Sequence, residues 1–104
     1  MTLATKTRNL DPAKMIRVAE ILKVIGHPLR LKILELLEAE EPLTVSEIQE
    51  RLEVATEQSL LSHHLITLKR KGILASEKRG MHVWYSIQDR HLLEIFDCME
   101  QCNL

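Results

Sequence analysis

Aromatic residues are scarce in this chain: Trp84, Tyr85 and Phe96 are the full set. A core built from it must therefore be aliphatic, which suits a helical protein rich in Leu and Ile. Cysteine is rarer still. Cys98 and Cys102 stand close to the end, spaced i, i+4 as neighbours on a helix, so a disulfide framework is excluded and a reduced, cytoplasmic chain is expected. No apolar run approaches the roughly 18 residues of a membrane span, and the polar stretch Met1–Asp11 lacks the apolar centre of a signal peptide. There is no Ser-His-Asp arrangement, Gly-rich phosphate loop or supported carboxylate pair, which argues against an enzyme. Internal repeats and low-complexity tracts are also missing. An overall positive charge is lacking too: the formal net charge is −1.

What is present is one domain's worth of chain, 104 residues at 45% hydrophobic, with an uneven distribution of charge. Between Glu35 and Glu53 seven glutamates face the single cation Arg51. Between Glu57 and His82 the balance reverses, with Lys69, Arg70, Lys71, Lys78 and Arg79 against Glu57 and Glu77. An acidic protein with one cationic patch can turn that one surface toward phosphate.

The cationic half contains the most structured stretch, Thr56–Gly72. Leu61, Leu65 and Leu68 recur at i, i+4, i+7, with Leu60 broadening the stripe, so one side needs a core. Gln58, Ser59, Ser62, His63 and Ile66 fall on other sides. Thr56 is a suitable N-cap, and Gly72, after Lys69-Arg70-Lys71, suits the left-handed residue that ends a helix.

Residues 1–10 read as a flexible arm and 11–104 as a single domain. Asp11-Pro12 starts a first helix that is apolar nearly all round, with Ile16, Ile21 and Val24 set among Lys14, Arg17, Glu20 and Lys23; such a helix must be covered on more than one side, and a partner chain is the natural cover. Gly26 ends it. His27-Pro28 opens a second helix, and Glu40-Glu41-Pro42 breaks it. Thr44 with Glu47 forms a capping box for a short third helix, Val45–Leu52, and a tight turn leads to the stretch at Thr56. Two helices of these lengths across a tight turn have helix-turn-helix spacing. Two strand-like runs then flank Arg79-Gly80, with Val83, Tyr85 and Ile87 alternating as in a half-buried hairpin. Gln88-Asp89-Arg90 caps a last helix from His91 to about Gln101. The expected fold is mainly α with a small β-hairpin: a winged helix-turn-helix of about five helices plus a two-stranded wing.

The run Leu22-Lys23-Val24-Ile25-Gly26-His27-Pro28-Leu29-Arg30-Leu31-Lys32-Ile33-Leu34, then Gln58-Ser59, Ser62-His63-His64-Leu65, Leu68-Lys69, Gly72-Ile73-Leu74, Arg79-Gly80 and Trp84-Tyr85-Ser86-Ile87, resembles the ArsR (ArsR/SmtB) family of small winged-helix repressors over roughly Val18–Ile87. The resemblance implies a homodimer built from the first and last helices, binding to double-stranded operator DNA, and release by an inducer. A winged-helix protein-interaction module without specific DNA binding is the alternative.

Gln58, Ser59, Ser62 and His63 lie in the N-terminal half of the recognition helix, the part that meets base edges in the major groove, and the resemblance gives them the same role. His64 divides evenly between helix packing or phosphate and the reading face, because one of two adjacent histidines must turn away. Lys78 and Arg79 suit phosphate or a narrow minor groove, or else protect an edge strand. Arg30 resembles the family's phosphate-side arginine, and of Lys69, Arg70 and Lys71 only some are expected to reach phosphate; Lys69 is the one taken forward.

For sensing, the segment Leu43–Ile48 has no Cys, so the family's thiolate box before the recognition helix is absent. A second family site, on the last helix, begins with Asp-x-His and is completed about eleven and fourteen residues later across the dimer. Asp89-Arg90-His91 and Cys102 match it in part; the remaining position falls beyond Leu104. Three readings stay open: zinc or another thiophilic metal at the dimer interface through Asp89, His91 and Cys102; redox chemistry at Cys98 and Cys102; or plain interface packing.

Overall fold

The structure is a computed structural model and describes residues 8–103. Residues 1–7 of the expected arm lie outside the described residues. The order of elements is α1 (Pro12–Ile25), α2 (Pro28–Ala39), β1 (Leu43–Thr44), α3 (Val45–Arg51), α4 (Gln58–Arg70), β2 (Leu74–Arg79), β3 (His82–Ile87), a 3-10 turn (Arg90–Leu93) and α5 (Glu94–Gln101). Five helices and a wing were expected and are found among the described residues, but the sheet there has three strands, in the order β1-β3-β2, all antiparallel.

The third strand corrects the two-stranded expectation. Leu43 and Thr44 pair with Tyr85 and Trp84, so a segment read as a mere lead-in to α3 closes the outer edge of the hairpin. Thr44 then caps α3: its Oγ1 accepts from Glu47 N at 3.2 Å, and Glu47 Oε1 accepts from Thr44 N at 3.0 Å. The wing and the helix-turn-helix therefore share a residue. Gln49 Nε2 donates to the Thr56 carbonyl at 2.8 Å, which fastens the turn between α3 and α4.

Local start signals hold at three other helices. Asp11 caps α1 through Ala13 N, His27 caps α2 by accepting from Leu29 N, and Asp89 caps the 3-10 turn by accepting from His91 N. The last helix is divided, since the chain runs through that turn before α5 begins at Glu94. Thr56 does not cap α4. Its hydroxyl donates to the Val54 carbonyl, and the helix begins two residues later, with Glu57 at the cap position and no side-chain bond there. At the other end Gly72 has φ +77, and Ile73 N donates back to the Leu68 carbonyl at 3.0 Å, the closure only a left-handed residue permits.

The core is aliphatic, as the shortage of rings requires. Ile33, Leu34 and Leu37 of α2, Ile48 of α3, and Leu61, Leu65 and Leu68 of α4 meet Ile73, Leu74, Tyr85 and Ile87 from the sheet side. Leu60 is not part of it; nearly half its surface stays exposed. The place it was expected to fill on the inner face of α4 is held by His64. α1 contributes only Ile25 to the fully buried set. No helix among the described residues is long and apolar enough to cross a membrane.

Candidate nucleic-acid interface

The sequence of α4 fixes which residues face out. With Leu61, His64, Leu65 and Leu68 turned inward, the 3.6-residue period leaves Gln58, Ser59 and His63 exposed and Ser62 half-buried at the margin. These four carry hydroxyl, amide and imidazole groups, each able to hydrogen-bond in more than one way. α3 packs against α4 behind the row, and the sheet places a second exposed set at the far end of β2, where Lys78 and Arg79 precede the turn at Gly80.

Arg79 is already engaged. Its Nε donates to Glu77 Oε1 at 3.0 Å and its Nη2 to Glu77 Oε2 at 3.3 Å, while the guanidinium lies 5.7 Å from the centre of the Trp84 ring. The Arg79 hydrogen bond, then its charge, holds the Glu77 carboxyl below the usual carboxylate range. The partner in sequence, two residues away on the same strand face, was the missed signal. Met81 at the tip of the turn is 94% exposed.

His64 departs from the expected contact set. It is 5% exposed, and its Nδ1 accepts from Arg30 Nε at 2.9 Å. Arg30 Nη1 in turn donates to the Val24 carbonyl at 2.9 Å. The ring of His27 stands 4.8 Å from that of His64, tilted by 54°. Burial, then the positive charges of Arg30, His27 and His63, lower the His64 pKa below the ordinary histidine value. Of two adjacent histidines, His63 stays on the surface and His64 turns inward to an internal partner. Lys69 is exposed in the last turn of α4, as is Arg70.

The last helix carries the expected sensing residues. Asp89 Oδ1 is occupied as a cap, 3.0 Å from His91 N, and lies 3.3 Å from His91 Nδ1. Cys98 and Cys102 are free, exposed thiols, with Cys102 at the C-cap of α5. Among the described residues no three His, Cys, Asp or Glu groups of one chain converge to hold a metal. Asp89, His91 and Cys102 thus do not make a metal site within one protomer.

A family model described as a helix-turn-helix domain matches residues 25–77, just over half of the chain. An uncharacterized HTH-type transcriptional regulator of Methanocaldococcus jannaschii is 36% identical over 88 residues, which are 85% of this chain and 97% of that one. This chain belongs to the ArsR/SmtB family. It is a DNA-binding transcription regulator of the winged helix-turn-helix type. A homologue of the cadmium resistance transcriptional regulatory protein CadC, from Staphylococcus aureus, is 34% identical over 90 residues, covering 86% of this ArsR/SmtB chain and 73% of its own. The crystal structure of the transcriptional repressor PagR of Bacillus anthracis superposes with a TM-score of 0.74 at 30% identity, covering 86% of this chain and 99% of that one.

Proposed function

We propose that the protein is a homodimeric repressor that reads operator DNA with α4 of each protomer and leaves it when an inducer acts on the terminal helix. The observation that carries this reading is the two-sidedness of α4: Leu61, Leu65 and Leu68 are sealed in the core while Gln58, Ser59, Ser62 and His63 form a polar row on the outer side. Two such helices related by a two-fold axis reach successive major grooves about 34 Å apart. Gln58 suits bidentate pairing with adenine, and Ser59, Ser62 and His63 add contacts to base edges. Lys78 and Arg79 take phosphate or the minor groove; Lys69 takes phosphate. Arg30 and His64 serve from behind and are left out of the contact set.

Dimerisation through α1 and α5 is supported by what those helices leave open. Met15, Ile16, Val18 and Leu22 are exposed along α1. Leu10, Met15, Val18, Ala19 and Leu22 line a groove of about 270 Å³. Cys98 on α5 and Cys102 at its C-cap are free, exposed thiols within reach of an inducer. A metal at Asp89, His91 and Cys102 requires ligands from both chains.

The test is selection of duplexes from a random-sequence pool, followed by binding titrations with the selected duplex. A sequence preference is expected. Gln58→Ala with His63→Ala should remove most of it, since a good base contact is worth about 1–3 kcal/mol of discrimination. Full preference in the double variant would refute this reading face, and an absence of any selected sequence would favour the protein-interaction module. Zinc, cadmium and hydrogen peroxide, added separately to the reduced complex, test α5: release by one of them names the inducer class, and release by none leaves packing as the role of the thiols.

A further inference from the structure

Arg30 sits where three helices converge, and its hydrogen bonds leave the charge state of His64 no freedom. Arg30 belongs to α2, its Nη1 donates to the Val24 carbonyl in the last turn of α1, and its Nε donates to His64 Nδ1 on α4. A guanidinium is a donor only. Nδ1 must therefore carry a lone pair, which makes the ring neutral with its proton on Nε2. A protonated His64 has no acceptor to offer and sets a second positive charge against Arg30 in a buried place. The groups facing His64 are Arg30 from α2, His27 at the α2 cap and His63 from its own helix, all cationic or able to become so. His27 also accepts through Nδ1, from Leu29 N at 3.2 Å, which caps α2 beside the pair.

We infer that Arg30 and neutral His64 are a positioning pair that sets the recognition helix against the α1–α2 junction, so that protonation of His64 loosens α4 and weakens DNA binding. The pair touches no base and acts through the placement of Gln58, Ser59, Ser62 and His63. This rests on the reading of α4 as the recognition helix. The sign follows from the lowered pKa. Above the ordinary histidine value both the folded and the unfolded chain keep the ring neutral and the pair is intact. As pH falls from there to the lowered value only the unfolded chain takes up the proton, and folding weakens; at and below the lowered value the folded ring charges and the pair itself opens. The effect is read as a difference between variants that share every other titratable group.

The experiment uses the full chain and a duplex selected by it from a random pool, with affinity measured from neutral to mildly acidic pH at fixed ionic strength. His64→Gln supplies an amide oxygen that accepts from Arg30 and does not titrate. It should bind within about threefold of the parent at neutral pH and lack the parent's acid-dependent loss. His64→Leu keeps the packing and removes the acceptor; it should bind about tenfold more weakly. A folded His64→Leu chain that binds like the parent, a Gln variant as weak as the Leu variant, or identical pH profiles for parent and Gln variant would each overturn the inference. Nitrogen NMR of the parent reads the same point without any variant. The expected signature is an Nε2–H tautomer that titrates below ordinary histidine; an Nδ1–H tautomer overturns it. Failure to select any duplex would count against the DNA reading, whereas failure of these contrasts on a selected duplex would count against the pair alone.

Discussion

Helices α1 and α4 are nearly equal in length, and the chain treats them in opposite ways. α4 buries Leu61, His64, Leu65 and Leu68 against its own chain and leaves a polar row outside. α1 buries Ile25 alone and leaves Ile16 62% exposed, with Met15, Val18 and Leu22 beside it. One helix is complete within a protomer. The other is the more apolar of the two, and beyond Ile25 only Ile21 and Val24 pack against the core of its own chain. Apolar content alone would thus pick the wrong helix for the core here; what marks α4 as the core helix is that its polar residues gather on one side. α4 segregates them and α1 scatters its charges around the whole barrel.

The largest effect should come from testing that contrast directly. Leu65→Ala removes a fully buried side chain and should cost about 2–5 kcal/mol in denaturant unfolding. Leu22→Ala on α1 should leave the core untouched and instead raise the dimer dissociation constant by about tenfold, from the lost burial of a few methylenes. Sedimentation over a concentration series separates the two outcomes. Equal destabilisation of the protomer by both substitutions would erase the distinction between the helices.

Thr44→Ala should have an intermediate effect, about 1 kcal/mol from loss of the α3 cap. It sharpens the contrast, because the damage should register in the DNA-reading half and leave dimerisation unchanged. The smallest effect is expected at Glu77→Gln. Releasing Arg79 from the carboxylate should tighten binding to any duplex by no more than about threefold, since an exposed pair of this kind is weak. Equal gains for selected and random duplexes would place Arg79 on the backbone; a gain confined to the selected duplex would place it on base edges.

The legible parts of the fold are the ones settled within one turn of chain. Asp11-Pro12, the Thr44–Glu47 box and Gly72 each depend on residues no more than five apart, and each stands where the sequence puts it. Two of the parts that were not legible depend on distant partners. β1 exists because Leu43 and Thr44 meet Tyr85 and Trp84, about forty residues on, and two residues carry no periodicity of their own. His64 faces inward because Arg30, 34 residues earlier, offers it a donor; an adjacent pair of histidines gives no local sign of which one turns. Thr56 is a good cap by type, but Val54 takes its hydroxyl, and the helix starts where the backbone leaves the turn. At the proposed contact row the polar pattern was legible because it is the complement of the leucine stripe. Asp89, His91 and Cys102 carry no such pattern, and one chain does not bring the three together.

Glu41 lies just past the end of α2, in the break before β1. One of its carboxylate oxygens takes the Ile87 N–H at 2.9 Å and the other takes Arg90 Nη1. Ile87 is the last residue of β3, and Arg90 is the first of the turn that leads into α5. The root of the wing and the root of the terminal helix are thus pinned to a single side chain, as two arms share one pivot. A displacement of α5 does not have to cross the core to be felt at the wing; it has only to move one carboxylate.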